Sequence, residues 1–253
     1  MAGLQGGEGV KRYGSAVAPQ EIDPFSGVLL VDKPMGPTSH DIVYRIRRNF
    51  KIKKVGHGGT LDPMATGLLI ILLGKGTKLS DSFMGSDKIY EGTLRLGSAT
   101  DSQDAQGEII SEGDPSHITE EQVLAEMEKL KGDSMQMPPM VSAIKVKGVP
   151  LYKHARNGKV VERKARLIHL YQFKMLNFDL PDADFVVKCT KGTYIRTLSH
   201  DIGENLGCGG HLARLRRTAS GKLDISQALT MDKIMKMSRD ELAKHIIPVA
   251  NFK

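Results

Sequence analysis

The spacing of apolar residues changes several times along the chain, and each change marks a predicted element. An apolar run over 27–34 predicts a short strand that ends at a proline. Apolar residues then recur three and four positions apart over 40–50, which predicts an amphipathic helix capped by Ser39. A continuous aliphatic run over 68–73 predicts a strand that is buried on both faces.

The rest of the chain mixes the same two periods. Alternation over 90–97 predicts a half-exposed strand, and Thr119-x-x-Gln122 predicts the start of a helix that ends near Gly132. Strands are also predicted over 166–180 and 184–190, a helix over 193–206, and two short helices after 221, the second opened by Ser238. Because no regular βαβ rhythm emerges, we expect an α+β (mixed α/β) fold with a substantial antiparallel sheet.

Composition restricts the class of protein. A chain of 253 residues, 40% hydrophobic and 26% charged, is typical of one sizeable globular core. Its net charge of +7 favours a polyanionic partner. Aromatic residues make up only 5% and tryptophan is absent, which argues against a single-strand binder that depends mainly on base stacking.

Cysteine and histidine usage indicates neither a disulfide framework nor a metal. Cys189 and Cys208 lack C-x-x-C spacing, which favours a reducing compartment and hence the cytoplasm. The eight histidines follow no ligand pattern, so no metal or cofactor is expected, and no apolar run approaches membrane-spanning length. Residues 1–21 lack a signal-peptide core and are predicted to be a flexible tail before a single domain over 22–253.

Two segments suggest chemistry. In the loop over 56–67, Asp62 lies between a glycine-rich turn and the aliphatic strand, and Pro63 restricts its backbone, so we expect a rigidly held carboxylate. An Asp-Pro pair alone is more often an ordinary turn. In the segment over 191–196, Arg196 could lie beside that carboxylate and lower its pKa, or could be a surface arginine next to a half-buried Tyr194.

Four separated segments resemble, in order, the TruB family of tRNA pseudouridine synthases. They are 27–34, the loop over 56–67, 88–90 followed by 100–107, and 191–196 followed by 215–217. The resemblance implies the pseudouridine synthase catalytic fold, with a central, largely antiparallel mixed sheet, flanking helices and a thumb-like insertion over about 134–165. The chain ends too soon after these segments for a C-terminal PUA domain, so none is expected.

The resemblance also implies roles for individual residues. Asp62 would be the catalytic nucleophile, Tyr90 would stack on the target base, and Tyr194 and Arg196 would line the pocket, with Arg196 paired to Asp62. The other implied substrate contacts are Leu215, His57 and Lys78, and the implied RNA contacts of the thumb are Lys145 and Arg156. By spacing alone, the segment over 74–78 predicts only a strand-to-helix turn. Val141 stands where the family commonly has a tyrosine.

The function implied by the resemblance is isomerisation of the T-loop uridine at position 55 of tRNA, by a monomeric, cofactor-free enzyme that flips the base. Two alternatives stay open. One is a guide-dependent pseudouridine synthase of a ribonucleoprotein, which the expected lack of a PUA domain disfavours. The other is a non-catalytic tRNA-binding or tRNA-folding protein, which the presence of both Asp62 and Arg196 disfavours.

Overall fold

The computed structural model describes residues 23–252 except 143, 147 and 160, so the predicted tail over 1–21 lies outside it. The strands are β1 (Gly27–Lys33), β2 (Val55–His57), β3 (Thr66–Leu73), β4 (Lys88–Leu96), β5 (Ser98–Thr100), β6 (Ile109–Glu112), β7 (Gly132–Gln136), β8 (Lys145–Val146), β9 (Val149–Pro150), β10 (Arg166–Asp179), β11 (Asp182–Cys189), β12 (Gly210–Ser220), β13 (Leu223–Asp224), β14 (Leu229–Thr230) and β15 (Ile247–Pro248). The α-helices are α1 (Ser39–Phe50), α2 (Ser80–Gly85), α3 (Glu120–Lys129), α4 (Leu151–Arg156), α5 (Ile195–Asn205), α6 (Met231–Met235) and α7 (Arg239–Lys244).

One large sheet organises these elements. Its main path is β14-β1-β3-β12-β4-β11-β10-β7, with β15 also on β1, β2 on β3, and β13 on β12. Among the strands of the described residues, only the β1–β14 and β3–β12 pairings are parallel. The mixed fold class and the largely antiparallel sheet predicted from the sequence are therefore confirmed.

Strand β3 lies in the middle of the core, as its aliphatic run predicts. Leu69, Ile71 and Leu73 pack into the larger hydrophobic cluster with α1 and α5. The alternate residues Leu68, Ile70 and Leu72 pack into a smaller cluster on the opposite face. Because successive side chains of a strand point to opposite faces, an unbroken apolar run requires both faces to be covered.

Helix α1 confirms the predicted apolar face but corrects the predicted cap. Thr38, not Ser39, is the N-cap: its hydroxyl accepts from the Asp41 amide at 3.1 Å, and the Asp41 carboxylate accepts from the Thr38 amide at 2.9 Å. This reciprocal capping box needs an acidic side chain three residues after the cap, which Asp41 supplies for Thr38. The hydroxyl of Ser39 is thereby available to the loop that contains Asp62.

The C-terminal half agrees with the predicted periodicities. The predicted strands correspond to β10 and β11, and the predicted helix over 193–206 corresponds to α5. The short helices α6 and α7 are present, and the Ser238 side chain caps α7. The basic run over 212–217, to which no element was assigned, lies within β12 and places its residues beside both β4 and β3.

The chain leaves the sheet between β7 and β10. Here the β8–β9 hairpin and α4 form the segment predicted as a thumb-like insertion, although its first residues belong to the edge strand β7. Within the described residues, no helix is long and apolar enough to cross a membrane.

Candidate active site

A cavity of about 350 Å³ lies where the loop after β2 meets the start of β4, the segment after β11 and the middle of β12. The predicted residues Asp62, Tyr90, Tyr194, Arg196 and Leu215 all line it. The other lining residues are Gly59, Thr60, Leu61, Met84, Lys88, Ser142, Thr190, Gly192, Thr193, Ile195 and Arg217. The fold thus brings residues from separate segments of the chain to one concave surface.

The carboxylate of Asp62 faces the guanidinium of Arg196. Oδ2 of Asp62 lies 3.0 Å from Nε of Arg196, and the side chains are 36% and 3% exposed respectively. The guanidinium is held from behind, because Nη1 donates to the Ser102 carbonyl and Nη2 donates to the Val141 carbonyl, each at 2.8 Å. A buried charge in a fixed position therefore stands beside a carboxylate that remains accessible from the cavity.

A second carboxylate approaches the same guanidinium. Oδ2 of Asp104 lies 3.7 Å from Nε of Arg196, and Asp104 is buried. Its other oxygen, Oδ1, accepts from the Ser102 hydroxyl at 2.7 Å and from the Gln106 amide at 3.0 Å. Sequence reasoning noted Asp104 only as part of the segment over 100–107. The two aspartates of that segment, Asp101 and Asp104, could have suggested a charged site, but nothing in their spacing connects either of them to Arg196.

Buried cations hold the loop that contains Asp62. Nζ of Lys33, at the end of β1, donates to the Ala65 carbonyl at 2.7 Å and to the Pro63 carbonyl at 3.2 Å. Burial lowers the pKa of Lys33 to about 8, although the nearby Asp62 carboxylate by itself raises that pKa. Unsatisfied carbonyls in a buried loop would be costly, so these contacts stabilise one loop conformation.

Arg217 of β12 holds both ends of the loop. Nε donates to the Leu68 carbonyl at 2.8 Å, while Nη1 and Nη2 donate to the carbonyls of Thr60 and Gly59, each at 3.2 Å. The backbones also meet closely at Gly67, where φ is +99° and a Cβ atom would lie 2.3 Å from the Arg217 carbonyl oxygen. Only glycine tolerates this combination of conformation and contact.

Ser39 fixes the residue that precedes the candidate nucleophile. Its buried hydroxyl accepts from the Leu61 amide at 2.8 Å and donates to the Leu61 carbonyl at 3.0 Å. Leu61, Met64 and Ala65 are themselves buried around Asp62. The sequence-based expectation of a carboxylate beside the core agrees with this arrangement, although the residues that anchor the loop were not foreseen.

Tyr90 and Tyr194 both line the cavity, and burial shifts the pKa of each. Burial raises the pKa of Tyr90, although the positive charge of the neighbouring Arg217 by itself lowers that pKa. The backbone of Tyr194 is clamped by the buried side chain of Gln136: the Tyr194 amide donates to Oε1 at 2.8 Å, and Nε2 donates to the Tyr194 carbonyl at 3.0 Å. Burial also raises the pKa of Tyr194, which keeps its phenol protonated at neutral pH.

The remaining predicted contacts lie elsewhere. His57, on β2, does not line the cavity; burial lowers its pKa, and its Nδ1 accepts from the Gly59 amide at 3.4 Å. Lys78 lies in a 3₁₀ turn over Gly74–Leu79 and borders a separate depression that also contains Lys53 and Lys54. The turn predicted by spacing is therefore confirmed, whereas the substrate contacts assigned to Lys78 and His57 stay predictions.

The insertion is basic in composition, and Ser142 at its base lines the cavity. Lys145 lies exposed in β8, and Arg156 lies in α4, but the structure does not describe the Arg156 side chain.

Among the described residues, no group of three or more His, Cys, Asp or Glu side chains is placed to hold a metal ion.

The site combines a carboxylate beside a fixed guanidinium, an aromatic ring in the same cavity and a largely antiparallel mixed sheet. This is the combination that the resemblance to the pseudouridine synthase class implies, and comparison with known proteins supports that class. The family model described as TruB family pseudouridylate synthase (N terminal domain) matches residues 47–195. The model for the tRNA pseudouridylate synthase B C-terminal domain matches residues 196–251. The chain belongs to the TruB family, which confirms the resemblance seen in the four sequence segments.

Individual relatives agree with this assignment. The chain is 54% identical over 230 residues to tRNA pseudouridine synthase B of Opitutus terrae, covering 91% of this chain and 94% of the relative. It is 46% identical over 226 residues to the protein of that name from Syntrophotalea carbinolica, covering 89% and 74%.

Solved structures share the fold. A chain in the crystal structure of a Cbf5–Nop10–Gar1 complex matches with a TM-score of 0.70 and 30% identity, covering 89% of this chain. This chain spans only 60% of the length of that solved chain. A chain of the archaeal box H/ACA sRNP Nop10–Cbf5 complex matches with a TM-score of 0.66 and 28% identity.

Proposed function

We propose that this protein is a tRNA pseudouridine synthase that isomerises the T-loop uridine at position 55, acting as a monomer in the cytoplasm. The observation that carries the proposal is the ion pair of Asp62 and Arg196 at the edge of a cavity large enough for a flipped base. The names of relatives at 46–54% identity, all tRNA pseudouridine synthase B, favour tRNA over the guide-directed substrates of a ribonucleoprotein.

The reaction needs little from the protein beyond these groups. The C1′–N1 bond of uridine breaks, a C1′–C5 bond forms, C5 loses a proton and N1 gains one, so atoms and electrons balance without a co-reactant. A nucleophile is required to hold the part of the nucleotide that is released when the C1′–N1 bond breaks. We assign this role to Asp62, which would attack either the ribose or the ring. In this proposal Arg196 holds the carboxylate at the cavity edge. Tyr194 assists proton removal from C5 as a hydrogen-bonding neighbour and not as the base itself, because its phenol stays protonated at neutral pH.

Access to the uridine requires that the base leave its stack. Extruding a base costs a few kcal/mol, and stacking on an aromatic side chain returns about 1–3 kcal/mol. Tyr90 offers that ring inside the cavity, and Leu215 offers an apolar surface beside it. Both residues belong to the large sheet, so the base would enter a preformed site.

The proposal is tested with an unmodified tRNA transcript. Purified protein alone should form pseudouridine at position 55, and a transcript with cytidine at that position should gain none there. Mapping of the product distinguishes the alternatives. Modification that requires an added guide RNA would favour the ribonucleoprotein enzyme, and tight binding without any pseudouridine would favour a tRNA-folding protein.

The basic insertion is proposed to grip phosphates of the T arm. Replacing Lys145 and Arg156 together with alanine should flatten the dependence of log Kd on log salt by up to about two phosphate contacts. KM should rise, while the rate at saturating tRNA should change much less. The matched control replaces exposed Lys236 and Lys244, which alters the net charge equally outside the insertion. Equal slopes for both double variants would place the RNA path elsewhere.

A further inference from the structure

The hydroxyl of Ser142 lies in the cavity wall, and none of the roles described so far involves it. Ser142 is only 6% exposed, and its Oγ is buried without a hydrogen-bond partner among the described residues. Buried hydroxyls are normally paired, because desolvation without a compensating hydrogen bond is unfavourable. An unpaired buried hydroxyl in a cavity therefore points to a ligand that completes it.

The backbone around Ser142 is fixed. Its amide donates to the Met140 carbonyl at 3.0 Å, and its carbonyl accepts from the Tyr152 amide at 3.0 Å. The preceding carbonyl, that of Val141, accepts from Nη2 of Arg196 at 2.8 Å. Ser142 thus lines the cavity from the base of the insertion, directly after the residue whose carbonyl holds Arg196.

Its neighbours do not satisfy it. The hydroxyl lies beside the phenol of Tyr194 and partly offsets the rise in its pKa. The distance and angles between the two groups nevertheless fall short of a hydrogen bond in the structure. Two other serine hydroxyls, those of Ser199 and Ser220, are also buried and unpaired, yet neither residue lines the cavity. Ser142 differs from them because it is part of the cavity wall.

We propose that the hydroxyl of Ser142 binds the flipped uracil by a hydrogen bond to one of its two ring carbonyl oxygens. A flipped nucleotide enters a pocket base first, so a buried polar group of the wall faces the ring edge and not the phosphate. The uracil edge carries two carbonyl acceptors, and a serine hydroxyl can donate to either. Ser142 is then a further substrate-binding residue, an inference that rests on the proposed function.

The test compares Ser142→Ala with the wild-type protein on a T-arm hairpin that carries uridine, 2-thiouridine or 4-thiouridine at the target position. Sulfur is a weaker hydrogen-bond acceptor than oxygen, so each thio substrate weakens one candidate contact. We expect kcat/KM of the variant on uridine to fall about five- to tenfold. On the thio substrate whose sulfur replaces the contacted oxygen, kcat/KM of the variant should lie within about twofold of the wild-type value, because the wild-type protein has already lost most of that contact.

Thermal unfolding separates binding from a structural role. Removing an unpaired buried hydroxyl should leave Tm unchanged or raise it, and Ser199→Ala should do the same while keeping activity within about twofold of wild type. A lower Tm for Ser142→Ala, unchanged activity on uridine, or an equal loss on all three substrates would each overturn the inference. If the wild-type protein fails to convert the uridine hairpin, the proposed function falls, and this inference with it.

Discussion

Replacing Asp62 with asparagine is expected to abolish pseudouridine formation while tRNA binding stays within about threefold of wild type. The amide keeps the shape of the carboxylate, so the cavity and the loop anchored by Lys33, Ser39 and Arg217 should persist. It cannot act as the nucleophile, and loss of such a group lowers rates by about 10⁴-fold or more.

Single-turnover product formation and filter binding measure the two effects separately. The matched control is Asp101→Asn, which alters an exposed carboxylate that accepts from the Glu108 amide in a neighbouring loop. This control should retain nearly full activity. Turnover by the Asp62 variant above trace level would remove Asp62 from its assigned role.

Replacing Arg196 with lysine should lower the single-turnover rate by about 10²–10³-fold, although the positive charge is kept. A lysine ammonium cannot reproduce the planar fork that donates to the carbonyls of Ser102 and Val141 while facing Asp62. Preorganised contacts of this kind contribute heavily to transition-state stabilisation. Stability should fall too, by about 1–3 kcal/mol, because buried carbonyls lose their donors.

The comparison variant is Arg214→Lys. Arg214 lies on the same strand as Leu215, has a largely exposed side chain and contacts Asp184 at 3.3 Å, so the same chemical change there should alter rate and stability little. Rates are measured at saturating tRNA and stability by thermal or urea unfolding. A rate within threefold of wild type for Arg196→Lys would mean that the guanidinium fork is dispensable.

Elements with strong local periodicity were well predicted from the sequence. The continuous aliphatic run of β3 reflects a strand that is buried on both faces, and the helical spacing of apolar residues in α1 reflects burial on one face. Both predictions agree with the structure because such burial leaves a pattern in the local sequence. The cap of α1 was misplaced by one residue, since Thr38 and Ser39 are both good capping residues and only the position of Asp41 distinguishes them. The basic run over 212–217 shows neither the period of a strand nor that of a helix, because its residues face the core, the cavity and the surface in no regular order.

The sequence by itself determined the mixed fold class, most element positions and, through the family resemblance, the set of Asp62, Tyr90, Tyr194, Arg196 and Leu215 that meets in one cavity. Only the tertiary structure decided how that cavity is held together. Its anchors act across long separations in the chain, through the hydrogen bonds of Ser39, Arg217 and Gln136 and the ion pair of Asp104 with Arg196. These contacts depend on sheet register and on which strand lies next to which. Local periodicity reports which residues are buried, but it does not report their partners, because pairing is set by the packing of distant elements.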